Sequence, residues 1–240
     1  MKNYQEIHFE TIDSTNLYIK HHYLNLADFT FVSADYQTNG KGRMDRVWKS
    51  EKGDNLLFSL LIKNQEIIKE AGYLSLVTAV SVASLLENKY KLNNVNIKWP
   101  NDIFVNDKKI CGILLEGQLP EYVVIGVGLN VHQKTFLGEY NHTPTSLSIE
   151  GVKNVDIKLL KADMFDIIHK NLLLSIISHH HFYEYFSKHN YLKNKEISFI
   201  YNGKHLKGKV IDVDRDFRLI IAHNEQKIIL TSGEVSLIKN

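Results

Sequence analysis

The feature that most constrains the fold is a run of strand-like segments crowded into residues 95–131. The segments are VNIKW at 95–99, DIFVN at 102–106, KICGILLEG at 109–117 and YVVIGVGLNV at 122–131. Turn signals such as Pro100-Asn101 and Asn106-Asp107 separate them. Parallel neighbours need a crossover of about a dozen residues or more, which these gaps do not provide. The run therefore predicts a meander within a mixed or antiparallel sheet, and not a βαβ series.

Helices and further strands flank this meander. The predicted elements are strands at 5–9, 29–36 and 55–62, a buried helix at 70–90, and a helical region at 157–189. DSTN at 13–16 supplies N-cap residues for a short first helix. A break in the last helical region is expected near the histidines at 179–181.

The pattern changes after Asn194. Four or five short strands with tight turns follow, which is typical of a small barrel of antiparallel strands. We therefore predict a large domain over residues 1–192 and a small β-barrel domain over residues 193–240, with a boundary near 192–195.

Charge and composition exclude several classes of protein. The net charge of +2 is too small for general nucleic-acid binding, so any basic function must be local. A single cysteine, Cys111, excludes an intramolecular disulfide and fits a reducing cytoplasm; we expect it to be a core residue. The N-terminus lacks the apolar stretch of a secretory signal, and no run approaches the length of a membrane span.

The segment TNGKGRMDRVW at 38–48 is a glycine-rich basic loop between two predicted strands. Its glycines allow close backbone approach to a ligand, and its lysine and arginines suit phosphate or carboxylate. It fits neither the P-loop spacing nor the dinucleotide-binding fingerprint. From these residues alone, a solvated surface loop and an anion-binding loop are both open.

Three further stretches suggest a site, each with a structural alternative. KWPND at 98–102 ends a strand in a turn whose Asn and Asp can bind a ligand or satisfy their own backbone. Lys109 begins an apolar strand, where it can neutralise developing negative charge or face solvent. The glycines of IGVGLNV at 125–131 can leave room for a ligand beside Asn130 or mark a β-bulge. The histidines at 179–181 lack partners at metal-ligand spacing.

These motifs occur in an order that is more specific than any one of them. They are DSTN at 13–16, GKGRMDRVW at 40–48, KWPNDI at 98–103, KKICGILLEG at 108–117, GVGLNV at 126–131 and SGEVSL at 232–237. Over nearly the whole chain, this order resembles the biotin–protein ligases (biotin–[acetyl-CoA carboxylase] ligases), in the form without an N-terminal DNA-binding domain. The resemblance implies an α+β fold of the class II synthetase-like ligase type, with helices packed on a mixed or antiparallel sheet. It also implies that residues 1–192 are the catalytic biotin- and ATP-binding domain and that residues 193–240 form an SH3-like barrel.

The resemblance implies an ATP-dependent ligase with two steps. Biotin and ATP condense to biotinyl-5′-AMP and pyrophosphate, with Mg²⁺ as the accompanying metal. Biotin is then transferred to one lysine of a biotin carboxyl carrier domain, as found in acetyl-CoA or pyruvate carboxylase. Members of the family are monomers or homodimers, and the implied compartment is the cytoplasm.

The resemblance also implies residue roles, position by position. Biotin-binding positions are Ser14, Thr15, Asn16, Gln37, Gly40, Lys41, Lys109 and Gly112. Nucleotide-binding positions are Gly42, Arg43, Arg46, Trp48, Asn101, Asp102 and Asn130, with Asn101 and Asp102 on the magnesium side. Lys109 and Arg43 are the implied catalytic residues, because joining a carboxylate to a phosphate brings two anions together.

The chain departs from the family pattern at Lys41, where arginine is usual, and at Asp45, where glycine is common. Lysine keeps the charge but lacks the planar fork, so retention of the ligand is in question. DSTN begins at residue 13, which leaves no room for a helix-turn-helix domain, and we expect no operator binding. A lipoate or octanoyl ligase or transferase of the same fold and a non-catalytic ligand sensor stay open as alternatives.

Overall fold

The computed structural model describes residues 5–44, 46–231 and 235–238. Seven strands form the first sheet: β1 (Glu6–Phe9), β2 (Phe31–Ala34), β3 (Asn55–Ile62), β4 (Val95–Lys98), β5 (Asp102–Val105), β6 (Lys108–Gln118) and β7 (Tyr122–Asn130). Their order is β1-β2-β3-β7-β6-β5-β4. β1 and β2 are parallel, and the other neighbouring pairs are antiparallel. The predicted mixed sheet, with its β4–β7 meander, is confirmed.

In the described residues, five α-helices accompany this sheet: α1 (Thr15–His22), α2 (Gln65–Ile68), α3 (Ala71–Asn88), α4 (Ile157–Ser175) and α5 (His180–His189), and a 3₁₀ turn (Tyr23–Asn25) follows α1. Ser14 caps α1, where its side chain accepts a hydrogen bond from the Leu17 amide. The predicted helical region at 157–189 is interrupted between Ser175 and His180, close to the expected break. α2 was not predicted, because four residues are too few to display helical periodicity.

The two faces of the first sheet have different surroundings. Strand side chains alternate between the faces, and Phe58, Ile125 and Val127 belong to the main hydrophobic core with residues of α3 and α4. The other face carries α1, which packs Ile19 onto a small separate cluster that includes Val124. The small size of this second cluster leaves much of that face open for a site.

Five strands form a second, antiparallel sheet: β8 (Glu196–Tyr201), β9 (Lys204–Val213), β10 (Leu219–His223), β11 (Gln226–Leu230) and β12 (Val235–Leu237). Their order is β11-β10-β9-β8-β12. This sheet agrees with the predicted SH3-like domain, and the domain boundary near 192–195 stays a prediction. The two sheets are in contact, because Lys98 of β4 donates to the Val235 carbonyl of β12 at 3.2 Å, and the indole Nε1 of buried Trp99 donates to the Phe217 carbonyl at 2.9 Å.

Within the described parts of the chain, no helix combines the length and apolar character that crossing a bilayer requires.

Candidate functional site

A cavity of about 980 Å³ lies against the α1 face of the first sheet. The predicted site residues that line it are Ser14, Thr15, Asn16, Gln37, Lys41, Gly42, Arg43, Arg46, Trp48, Asn101, Asp102, Lys109, Gly112 and Asn130. Gly40 is the predicted site residue that is not among the lining residues. The fold therefore brings together positions that are more than a hundred residues apart in the sequence, and their individual roles stay predictions.

Three glycines of β6 and β7 form the floor of this cavity. β7 pairs regularly with β3 and β6 through Gly126 and Gly128, which excludes the alternative of a β-bulge. A Cβ added at Gly128 would lie 2.6 Å from Cε2 of Trp48, and one at Gly112 would lie 2.9 Å from Cζ3 of the same ring. A Cβ at Gly126 would lie 2.3 Å from Oδ1 of Asn16. The glycines are therefore needed so that Trp48 and Asn16 can lie directly on the strands.

The basic loop is folded back on itself in the part that the structure describes. The Gly42 amide donates to the Arg46 carbonyl at 2.7 Å, and the Trp48 amide donates to the Gly40 carbonyl at 2.9 Å. A Cβ at Gly40 would lie 2.7 Å from the Trp48 carbonyl, so Gly40 allows the two arms of the loop to approach. Asp45, one of the two departures from the family pattern, lies outside the described residues. The loop thus has internal structure, which favours the ligand-binding interpretation over a solvated loop.

Two polar pairs, Lys109–Asp102 and Arg43–Asn101, lie at the centre of the cavity. Lys109 Nζ lies 2.7 Å from Oδ1 of Asp102 and 5.7 Å from the centroid of the Trp48 ring. Arg43 donates to Oδ1 of Asn101 at 3.1 Å, and Asn101 Nδ2 donates to a carbonyl of β6 at 2.7 Å. From the sequence alone, Asn101 and Asp102 could bind a ligand or satisfy their own backbone, and their ligand-binding role stays a prediction. Both side chains are engaged with the implied catalytic cations, so an arriving anion competes with Asp102 for Lys109.

A chain of hydrogen bonds crosses the end of the cavity that borders α1. The Thr15 amide donates to Oε1 of Gln37 at 2.7 Å, and Thr15 Oγ1 lies 2.6 Å from Oγ of Ser59. Ser59 donates to Oδ1 of Asn16 at 2.5 Å, and Asn16 Nδ2 donates to Glu116 at 2.9 Å. Ser59 and Glu116 were not predicted. Glu116 could have been found from the sequence, because it places a carboxylate in an apolar strand and a buried charge requires a partner.

Two polar atoms at the opposite end of the cavity are buried without a hydrogen-bond partner among the described residues. They are Oδ1 of Asn130 and Nε1 of Trp48. The Asn130 amide nitrogen donates to the Thr145 carbonyl at 2.9 Å, which fixes the direction of the unpaired oxygen. One acceptor and one donor are therefore left for a ligand at the end where the nucleotide was expected.

Lys98 and His142 form a contact that sequence reasoning missed. Lys98 is 7% exposed, and its Nζ lies 3.1 Å from Nε2 of His142 and 3.2 Å from the Val235 carbonyl of β12. Burial and the Lys98 ammonium lower the pKa of His142 to about 4, so its neutral ring accepts from Lys98 near pH 7. No sequence pattern in the polar segment before β12 or around residue 142 indicated that these elements meet at the cavity.

Cys111 and the histidines at 179–181, which the sequence analysis also considered, are not assigned to the site. Cys111 is fully buried, and burial raises the pKa of its thiol, which confirms the prediction of a core residue. Among the described residues, no group of three potential ligands could hold a metal ion. Nε2 of His179 lies 3.6 Å from Glu70, and Nε2 of His180 lies 3.3 Å from Glu184. His179 and His180 therefore each lie beside a glutamate carboxylate.

Comparison with solved structures gives a close fold match. The biotin protein ligase from Aquifex aeolicus in complex with biotin and ATP superposes with a TM-score of 0.86 at 27% identity, covering 98% of this chain and 99% of that chain. The Leishmania major biotin protein ligase with biotinyl-5-AMP, at 20% identity and a TM-score of 0.62, supports the fold alone.

Sequence comparison gives relatives over part of the chain. The bifunctional ligase/repressor BirA of Bacillus spizizenii is 39% identical over 138 residues, which is 55% of this chain and 42% of that protein. The biotin–[acetyl-CoA-carboxylase] ligase of Mycobacterium tuberculosis is 33% identical over 109 residues, or 44% of this chain and 41% of the relative. The chain thus spans less than half the length of these curated relatives. A profile of the Biotin/lipoate A/B protein ligase family matches residues 8–130, about half of the chain, and the chain therefore belongs to that family.

Proposed function

We propose that the chain is an ATP-dependent biotin–protein ligase. In this proposal it forms biotinyl-5′-AMP from biotin and ATP and transfers biotin to a lysine of a biotin carboxyl carrier domain. The observation that carries the proposal is one cavity that joins three environments. The end beside α1 is lined by hydrogen-bonding groups, and the Lys109–Asp102 pair lies at the centre. At the other end, Nε1 of Trp48 and Oδ1 of Asn130 have no hydrogen-bond partner among the described residues.

The polar end of the cavity favours biotin over lipoate. The ureido ring of biotin carries one carbonyl and two N–H groups, whereas the dithiolane ring of lipoate has no strong hydrogen-bonding group. Thr15, Gln37 and Asn16 line this end with oxygen and nitrogen atoms. A site with buried polar groups rejects a ligand that cannot pair with them by a factor of up to about 10⁴–10⁵. This argument supports biotin within a family whose members also use lipoate.

The cations at the centre suit the first chemical step. A biotin carboxylate oxygen attacks the α-phosphate of ATP, the bond to the pyrophosphate leaving group breaks, and the mixed anhydride forms. Two anions must approach each other, and Lys109 and Arg43 offset their repulsion. In the second step, a carrier lysine attacks the anhydride and releases AMP. Residues 41–44 and 46–48 of the basic loop line the cavity and would limit access of water to the anhydride.

The implied Mg²⁺ fits a site that is completed by the nucleotide. Mg²⁺ commonly binds one or two carboxylates together with substrate phosphates and water. Asp102 lines the cavity and has a second carboxylate oxygen besides the Oδ1 that pairs with Lys109, whereas Oδ1 of Asn101 accepts from Arg43. Asp102 would hold the ion, and Asn101 would join it once the nucleotide phosphates draw Arg43 away; the bound ion would neutralise phosphate charge.

We propose a carboxyl carrier domain of acetyl-CoA or pyruvate carboxylase as the acceptor, with the cytoplasm as the compartment. The acceptor proposal rests on the biotin-selective end of the cavity and on the relatives named above. Cys111, a buried thiol in a chain with no second cysteine, fits a reducing compartment.

Labelling of a carrier tests the function directly. The purified protein is incubated with biotin, ATP and Mg²⁺ and with a biotin carboxyl carrier domain, and a carrier whose acceptor lysine is replaced by arginine serves as the control. We expect ATP-dependent labelling of the first carrier alone, with formation of biotinyl-adenylate and pyrophosphate.

The outcome of this assay separates the alternatives. Competition by lipoate or octanoate, with transfer of those acids, would favour the other activities of the family. Biotin binding without pyrophosphate release would favour a non-catalytic sensor. If the protein forms no adenylate and labels no carrier, the proposed ligase activity is wrong.

A further inference from the structure

Glu116 of β6 does not line the cavity, but its carboxylate contacts Asn16, which does. One carboxylate oxygen lies 2.8 Å from Nζ of Lys20, and the other accepts from Nδ2 of Asn16 at 2.9 Å. Burial opposes ionisation of Glu116, but hydrogen bonds from Lys20 and Asn16 outweigh it and lower the pKa of the carboxyl. The nearby Lys41 ammonium contributes in the same direction. Glu116 is therefore an anion at neutral pH, although only 22% of its side chain is exposed to solvent.

This anion fixes the orientation of the Asn16 amide. An ionised carboxylate accepts hydrogen bonds and cannot donate them, so the amide nitrogen of Asn16 must face Glu116. The amide oxygen then faces Ser59, whose hydroxyl donates to it at 2.5 Å. The reverse orientation would place the Asn16 carbonyl against a negative charge.

The fixed amide sets the direction of the hydroxyl protons beyond it. A serine hydroxyl has one proton, and Ser59 uses it on Asn16. The contact of 2.6 Å between Ser59 and Thr15 therefore takes its proton from Thr15. A hydrogen bond from Thr15 Oγ1 to Oε1 of Gln37, 3.0 Å away, would need the same single proton, which the shorter contact with Ser59 takes. Two acceptor oxygens thus face each other at the cavity wall, in an arrangement that a ligand N–H would stabilise.

We propose that Glu116 is a positioning residue that directs this chain, so that Thr15 and Gln37 present acceptors to the ring N–H groups of the ligand. The inference rests on the proposed function, because biotin is the ligand that supplies those N–H groups. Glu116 does so through Asn16 and Ser59 and does not touch the ligand itself.

Glu116→Gln tests the proposal because a glutamine amide can donate as well as accept. In the variant, Asn16 is free to rotate its amide, Ser59 can donate to Thr15, and Thr15 can donate to Gln37. The acceptor surface is then lost without loss of the side-chain volume. We expect the KM for biotin to rise by about tenfold, the scale of one hydrogen bond, while kcat changes by less than about twofold.

A ligand comparison separates this role from general structural damage. Dissociation constants are measured by isothermal titration for biotin and for a carbocyclic analogue with CH₂ in place of both ring N–H groups. We expect wild-type protein to bind biotin more tightly than the analogue. In Glu116→Gln, the ratio of the two dissociation constants should shrink by about five- to tenfold. Glu121→Gln serves as the control, because it makes the same change at an exposed carboxylate in the turn between β6 and β7. Its preference should match that of wild-type protein.

Equal weakening of both ligands in Glu116→Gln, or an unchanged preference, would overturn the positioning role while leaving the ligase function standing. A wild-type protein that bound neither compound would overturn the proposed function and this inference with it.

Discussion

Gly128→Ala is expected to displace Trp48 from the floor of the cavity. The added Cβ would lie 2.6 Å from Cε2 and 2.9 Å from Nε1 of the indole ring. An ordinary contact of about 3.5 Å therefore requires the ring to move by about 0.9 Å. Forcing a methyl group into an occupied space costs about 1–3 kcal/mol, which corresponds to a factor of about 5–150 in binding.

The cost should appear in ATP use more than in stability. The methyl group would project into the cavity, so the buried core of the first sheet stays intact. We expect the KM for ATP in biotin-dependent pyrophosphate release to rise within that range, with a small change in melting temperature. Tryptophan fluorescence should also change in the absence of ligand, because the environment of Trp48 changes while that of buried Trp99 does not.

Gly72→Ala is the matched control. Gly72 lies in the first turn of α3, is exposed, and a Cβ there would meet no atom within 4 Å. This substitution should leave catalysis unchanged and raise stability slightly, by up to about 1 kcal/mol. An ATP KM in Gly128→Ala equal to that of the control, with unchanged fluorescence, would refute the assignment of Trp48 to the nucleotide end.

Two further predictions concern charged and titratable groups of the cavity. Lys109→Ala should reduce biotinyl-adenylate formation by about 10²–10³-fold with the fold retained by circular dichroism, whereas Lys108→Ala should stay near wild type; near-normal adenylation in Lys109→Ala would remove that residue from the mechanism. The pKa of His142 is lowered from 6.5 to about 4 in the folded state, so the unfolded chain gains its proton first and stability is lost as the pH falls between these values. His142→Gln keeps an acceptor for Lys98, and its melting temperature should fall less over that pH interval than that of wild-type protein. Equal losses would show that His142 does not titrate as inferred.

Much of the fold could be predicted because the relevant signals are local. Short gaps between apolar segments at 95–131 enforced antiparallel neighbours, and β3 was found at 55–62 as predicted. Fourteen of the fifteen distinct site positions that the family motifs indicated line one cavity. Gly40 differs because its role is to let the arms of the loop approach, a close contact that only the folded loop reveals.

The order of the motifs in the sequence determined the family, and the spacing of the strands determined the class of sheet. The tertiary structure decided which polar atoms have partners. The sequence did not indicate that Asn101 and Asp102 contact Arg43 and Lys109 across the cavity. The hydrogen bonds of the chain from Glu116 to Thr15 and the Lys98–His142 contact join residues 43–100 positions apart. Hydrogen bonds depend on distances of about 3 Å between such residues, and no local pattern encodes that distance.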